Sequence, residues 1–363
     1  MGVGALVVGS LIPMSLSLDL QSFIAQLPKV ELHLHLEGSI RPTTLREIVQ
    51  RKGRLRRETE SWILEREREG YRYARFADFL NAFKLLSLLL ETPADYALAI
   101  TRLMEDLSAQ QVRYAEVTLS AGVALWKKQS LEAIFESIAE AVSDAAPRLD
   151  LQVKWIFDAV RQFGAEHARE VLRLAARFRE RGVVAFGIGG DEVRGPARLF
   201  TDVYREARDL GLHTTAHAGE SAGPESIREA VELLGAERIG HGTSAARDPD
   251  TMALLAERRI PVEACLTSNL ATGVIARLED YPLRRFLEAG VPLTLNSDDP
   301  ALFATSLEQE MMLAAETFAL TPTELLRTAE EAIRGSFLPE AAQDGLRAGL
   351  RSAAAALAAP VSG

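Results

Sequence analysis

Eight apolar runs of strand length recur along the chain, most of them separated by segments with helical periodicity. The first is PKVELHLHLEG (28–38), followed by VRYAEVTLS (112–120), LQVKWIFDAV (151–160), VVAFGIGGDE (183–192), HTTAHAGE (213–220), RIGHG (238–242), PVEACLTSN (261–269) and VPLTLNSDD (291–299). Near-continuous apolar strands alternating with helices predict a parallel sheet covered by helices. Eight such units favour a closed ring over an open doubly wound sheet. No GxGxxG opens a helix after the first strand, as a dinucleotide fold would require. The expected fold class is therefore α/β, a single-domain (β/α)8 TIM barrel. Its length of 363 residues would otherwise suggest two domains, but a barrel uses that length as one, and no linker or composition break divides it.

The segments around the barrel are helical too. A short amphipathic helix is expected from Leu18 to Leu27. After the first strand come RPTTLREIVQ, a charge-dense stretch to about residue 70, and helix over 75–110. Together they form a helical insertion that serves as a lid. Phe76, Phe79, Leu80 and Phe83 fall at i, i+3, i+4 and i+7, the spacing of one helical face, which suits core packing or a cover over an apolar pocket. The basic run Arg51–Arg57 is followed at once by ETE and EREREG, which reads as a solvated face. The alternative is that one of its cations reaches an anionic part of a ligand. Residues 303–357 read as extra C-terminal helices, the last one Ala-rich.

Residues 1–17 are apolar, but no basic residue precedes Lys29, and Gly9 and Pro13 interrupt the run. A flexible N-terminal extension is expected there, with Met14 as an alternative start, and the barrel domain over 18–363. No later run reaches the roughly 20 apolar residues that span a bilayer. A net charge of −10 argues against a nucleic-acid duplex or an anionic membrane as the main partner. The single cysteine, Cys265, rules out an internal disulfide and fits a reducing cytoplasm.

In a barrel of this kind the active site lies at the carboxyl ends of the strands. Four of the six histidines fall there: His33 and His35, His217 and His241. Glu220 follows His217 by three residues, and Asp298 and Asp299 end the eighth run. His33 and His35 are two apart, so their imidazoles share one face of a strand. Two histidines on strand 1, one on strand 5 and a carboxylate on strand 8 make an N3O set suited to a borderline divalent ion, zinc by ligand type, one per chain. Zinc brings the pKa of a bound water to about 7, so a metal-dependent hydrolase is implied. A Glu near the metal suits a proton donor, and a further His suits holding or deprotonating water.

The stretches PKVELHLHLEGSIRPTTL, FGIGGDE, HAGE with GPESI, ERIGHG, CLTSN and LNSDDP, ending in AIRGSFLPE, resemble in order and spacing the motifs of the adenosine deaminase family, from about residue 28 to 338. The family is a zinc-dependent branch of the amidohydrolases that replaces the purine 6-amino group with oxygen. The resemblance implies that His33, His35, His217 and Asp298 bind zinc and that His241 positions and deprotonates the water. It implies that Glu220 delivers a proton to purine N1, that Asp299 holds N7, and that the backbone N–H of Gly190 faces N3. Asp299 must then carry a proton, or meet one on N7.

Two residues depart from the family pattern. Glu37 stands where adenosine deaminases proper carry an Asp that contacts the ribose 5′-hydroxyl, and Leu266 replaces a Pro. The first reading is deamination of adenosine or deoxyadenosine to the inosine-type product plus ammonia. The second is a 5′-modified adenine nucleoside such as aminodeoxyfutalosine, whose carboxyphenyl group would suit the Phe76, Phe79 and Phe83 stripe beside basic residues. Free adenine comes third. A non-catalytic metal-containing nucleoside-binding protein is the alternative of a different class, although every ligand and Glu220 are present. No strand ends in a Lys, which disfavours the amidohydrolase reactions that use a carboxylated Lys.

Overall fold

In the computed structural model, residues 16–53, 57–71 and 76–358 are described, the side chains of 57–59, 67, 76, 77 and 358 excepted. The expected N-terminal extension, save Leu16 and Ser17, and the Arg54–Arg56 part of the basic run lie outside them.

All eight strands form: β1 Lys29–His35, β2 Val112–Leu119, β3 Gln152–Val160, β4 Val183–Gly189, β5 His213–Ala218, β6 Arg238–His241, β7 Val262–Ala264 and β8 Leu293–Leu295. They pair in parallel in chain order. Just beyond β8 the ring closes on β1: the His35 N–H donates to the Asp298 carbonyl (2.9 Å) and the Asp298 N–H to the His33 carbonyl (3.0 Å). The closing residue is thus itself a site residue.

Alternation along β1 sets what faces the barrel axis. Leu32 and Leu34 are buried, with Leu32 against the helix Pro322–Gly335, where a Cβ on Gly335 would lie 3.5 Å from its Cδ1. Glu31, His33 and His35, on the other face, point inward and are equally buried, each with a polar partner. A strand buried on both sides has to place its polar residues in the barrel interior, where they need partners.

The amino-terminal end of the barrel is plugged by the turn after the helix Pro322–Gly335. The Phe337 N–H donates to Glu116 Oε1 (2.6 Å), and its ring lies between the Arg238 guanidinium, 3.9 Å from the centroid, and the His213 ring, stacked at 4.3 Å. This is the position of the last family-like motif.

The insertion after β1 departs from the expected single helical stretch over 75–110. It breaks into Phe76–Leu89 and Pro93–Ala109. Thr92 accepts from the Asp95 N–H while Asp95 accepts from the Thr92 N–H, and Pro93 opens the second helix. A reciprocal cap followed by Pro is a strong helix start, and it ends the first helix where periodicity alone reads on. The C-terminal helices are Leu307–Phe318, Pro322–Gly335 and Glu340–Ala358, as expected. Among the described residues no helix is long and apolar enough to cross a membrane.

Candidate active site

The carboxyl ends of the strands surround one cavity. His35, His217, Glu220, His241, Asp298 and Asp299 line its inner side, and Phe79, Leu80 and Phe83 of the insertion cover it. Ser120, Val123, Asp158, Val160, Gln162, Gly189 and Gly190 form the wall above β2, β3 and β4. The sequence therefore brings its predicted rim residues together. The Phe76 side chain lies outside the described residues. Neither described cation at the start of the basic run turns to the cavity, since Arg51 pairs with Glu47 and Lys52 donates to the Leu89 carbonyl (2.7 Å).

Five groups converge on one point. Nε2 of His35 lies 3.2 Å from Nε2 of His217, and Asp298 Oδ1 is 3.3 Å from Nε2 of His33 and 3.4 Å from that of His35. Ligating atoms of His33, His217, His241 and Asp298 all lie within 4.8 Å of one another. The outer nitrogens are anchored elsewhere: His33 Nδ1 to Glu263 Oε2 (2.7 Å) and His217 Nδ1 to the Ile188 carbonyl (3.2 Å). Such bonds fix the ring and turn Nε2 inward, the arrangement usual behind metal-ligating histidines. His33 Nε2 is buried without a hydrogen-bond partner, so the donor set fits a divalent ion bound by nitrogen and oxygen.

The backbone is shaped for this convergence. Asp298 and His241 both adopt left-handed φ of 63°, uncommon outside glycine and concentrated at functional sites. Gly38 is required because a Cβ there would stand 1.6 Å from Asp299 Oδ1. Gly190, at φ 98°, leaves room for the Gln162 amide, which a Cβ would approach to 2.4 Å.

Burial sets the protonation states. It lowers His35 and His241 to about 4 and His217 well below the ordinary range, so these imidazoles are neutral. For His33 burial also lowers the pKa, but the facing Asp298 and Glu263 carboxylates outweigh it and lift the value to about 10, so this imidazole keeps its proton until a metal displaces it. Burial and then the neighbouring Asp298 charge push Glu220 up to about 8 and Asp299 well above the carboxylate range. Both are thus acids at neutral pH and able to donate a proton. A bound cation would draw these values down.

Several bracing residues had no role assigned from the sequence, although Glu192, Asn269 and Asn296 lie inside the family-like motifs. The Glu192 carboxylate accepts from the N–H groups of Gly219 (2.7 Å), Glu220 (2.9 Å) and Ser221 (2.7 Å), holding the loop that presents Glu220. Asn269 reaches His241 Nδ1 (3.2 Å), while Glu220 Oε2 lies 3.7 Å from the other ring nitrogen. Asn296 Oδ1 accepts from the N–H groups of Leu32 and His33. Asp158 is a buried carboxyl in the cavity wall, raised to about 8 by burial. Glu37 is buried as well, its carboxylate accepting from the Ser120 N–H (3.2 Å), so that Ser120 faces the cavity and Glu37 lies behind it.

Comparison with known proteins agrees with this geometry. The chain is 39% identical to an aminodeoxyfutalosine deaminase of Streptomyces coelicolor, covering 88% of this chain and 82% of the relative. It is 34% identical to an adenosine deaminase of Serratia proteamaculans, over 89% and 98%. Among solved structures, an amidohydrolase from Burkholderia ambifaria with bound Zn superposes with a TM-score of 0.86 at 26% identity, over 95% of each chain. The adenosine deaminase family model matches residues 28–353. The chain belongs to the adenosine deaminase family.

Proposed function

We propose that this protein is a zinc-dependent hydrolytic deaminase that exchanges the 6-amino group of an adenine nucleoside for oxygen and releases ammonia. The observation that carries the reading is the convergence of four imidazoles, His33, His35, His217 and His241, on Asp298 beside a cavity that Glu220 and Asp299 line. His33, His35, His217 and Asp298 would hold the zinc. When bound, the zinc supplies Lewis acidity that makes water nucleophilic near neutral pH. Protonated Glu220 donates to N1, drawing charge off the ring and making C6 electrophilic. Asp299, kept protonated by burial, donates to N7. His241, braced by Asn269, positions the attacking water, takes its proton and passes it to the departing nitrogen, while the hydroxyl proton of the adduct returns to Glu220; the Gly190 N–H faces N3. Addition at C6 followed by C–N cleavage expels ammonia and leaves the 6-oxo base.

For the sugar side, adenosine or deoxyadenosine is the first reading. A 5′-modified adenine nucleoside is the second, favoured by one feature: Glu37, which would hold an unmodified 5′-hydroxyl, is engaged by the Ser120 amide. The apolar cover of Phe79, Leu80 and Phe83 suits a bulkier group.

Zinc content per chain, measured with turnover of adenine, adenosine, 5′-deoxyadenosine and 5′-substituted adenosines, tests the reading. One zinc and ammonia release from at least one nucleoside are expected. Bound zinc with no turnover across the panel would leave a metal-containing nucleoside-binding protein. Selective turnover of the 5′-substituted members would establish the second reading over the first.

A further inference from the structure

Around the mouth of the barrel, the purine contacts of the deaminase reading fall in strand order. Glu220 at N1 follows β5, Gly190 at N3 follows β4, and Asp299 at N7 follows β8. The arc from β3 round to β1 is left for N9 and the sugar it carries. The part of that arc next to Gly190 is the cavity wall above β3, where Asp158 is buried and Gln162, in the turn Arg161–Phe163, is exposed. The end of β4 is bare of side chains where it meets this wall, and groups from β3 fill the space. A Cβ on Gly187 would come within 2.8 Å of Asp158 Oδ1, and one on Gly189 within 2.9 Å of Asp158 Oδ2. A Cβ on Gly190 would lie 2.4 Å from Gln162 Oε1 and 3.2 Å from its Nε2. The Gln162 amide thus lies over Gly190 itself, with both polar atoms close by. Among the described residues no protein group hydrogen-bonds this amide.

We propose that Gln162 reads the 2′-hydroxyl of the nucleoside and makes the site selective for a ribonucleoside over its 2′-deoxy counterpart. This rests on the deaminase reading, which sets N3 at Gly190. In the anti conformation usual for purine nucleosides, the 2′-hydroxyl lies on the N3 side of the glycosidic bond and C8 lies toward the 5′ side. The 3′-hydroxyl is one carbon farther from the base and from Gly190. A primary amide offers an acceptor and a donor together, the complement of a hydroxyl. Against a 2′-deoxy sugar the same amide faces a methylene, so the deoxynucleoside loses a hydrogen bond and gains no contact in return.

The test compares kcat/KM for adenosine, 2′-deoxyadenosine and 3′-deoxyadenosine in the zinc-loaded wild type and Gln162→Leu, which keeps the bulk of the side chain and removes its polar atoms. The wild type is expected to prefer adenosine to 2′-deoxyadenosine by about fivefold, the scale of one hydrogen bond. Gln162→Leu should bring that ratio close to one and leave the adenosine-to-3′-deoxyadenosine ratio at its wild-type value. Gln162 is exposed, and ratios within one protein cancel any general loss of activity. A wild type that accepts 2′-deoxyadenosine as well as adenosine, or a ratio unchanged in Gln162→Leu, would overturn the proposal and leave the deaminase reading intact. A change confined to the 3′-deoxy ratio would overturn it as well, by assigning the amide to the other hydroxyl. Where adenosine does not turn over, the dissociation constants of the same three nucleosides give the ratios that decide the role of Gln162. Only the absence of turnover for every adenine nucleoside, 5′-substituted ones included, brings down the deaminase reading.

Discussion

At the amino-terminal end of the barrel, Arg238 is fully buried between two carboxylates. Its Nη2 lies 2.7 Å from Glu116 Oε2, an ion pair without hydrogen-bond alignment, and its Nε donates to Glu263 Oε1 at 2.5 Å. Tyr114 and the Phe337 N–H complete the shell of Glu116. At the carboxyl-terminal end, buried polar groups are crowded just as closely, but among the described residues no Lys or Arg lines the cavity. There Asp298 faces the neutral His35, His217 and His241 and the proton-holding His33, and burial favours the protonated forms of Glu220 and Asp299. The first end is compensated from within the chain and so is structural. The second gathers metal-ligating and proton-donating groups around a cavity and so is functional. Glu263 joins the two ends, bonded to Arg238 through one oxygen and to His33 through the other.

The sharpest way to break the contrast is at the open end. Asp298→Asn removes the one ionised carboxylate of the cluster; metal content by mass spectrometry should fall to near zero and turnover to background. Wild-type metal content in this variant would mean that the cluster is not the site the cation completes. Glu220→Gln should cut turnover by more than ~10²-fold with metal retained, the scale of losing a general acid. Because Glu220 donates a proton, activity should fall as pH rises through its pKa, at or below about 8 once a cation lowers it. An activity that instead rises across that range would assign Glu220 the opposite role.

At the closed end, Arg238→Met strands two buried carboxylates. Stability in urea should drop by about 3–5 kcal/mol, the cost of removing one partner of a buried pair. Adding Glu116→Gln and Glu263→Gln should recover much of the loss. No recovery would show that Arg238 acts through packing on Phe337, not through charge.

The open end was far more legible in sequence than the closed one. His33-x-His35, His217 with Glu220, and Asp298 stand at strand ends, and the (β/α)8 pattern says where strand ends meet. The closed end depends on pairs across the barrel, between β2, β6 and β7, and strand periodicity cannot tell which inward residues face each other. A signal was present in Glu116, Arg238 and Glu263, each a charge embedded in an otherwise apolar run, which buried strands do not tolerate without a partner. The position of Glu37 was illegible for a different reason: the motif places its backbone but not the direction of its carboxylate, which turns to the Ser120 amide. Asp158 was hidden in the same way as the interior charges, inside an apolar strand.

Glu263→Gln sharpens the comparison because it touches both ends. The amide keeps the shape and can still accept from one neighbour, but it loses the charge that raises the basicity of His33. Metal affinity should fall by ~10–100-fold, as for other groups supporting a ligating histidine. Stability should fall less than in Arg238→Met, because Glu116 still balances the guanidinium. Unchanged metal affinity would separate the two ends completely.

The smallest expected effect is that of Tyr114→Phe. The hydroxyl donates to Glu116 Oε1 at 2.8 Å, but the same oxygen also accepts from the Phe337 N–H at 2.6 Å. Removing the hydroxyl therefore leaves Oε1 with the Phe337 donor, and the cost should be about 1 kcal/mol, that of one net hydrogen bond. Metal content and turnover should stay at wild-type values, since Tyr114 reaches the open end only through Glu116, Arg238, Glu263 and His33 in series. A loss of metal affinity from this substitution would show that the closed end transmits to the site, and that its charges tune the ligands as well as hold the barrel together.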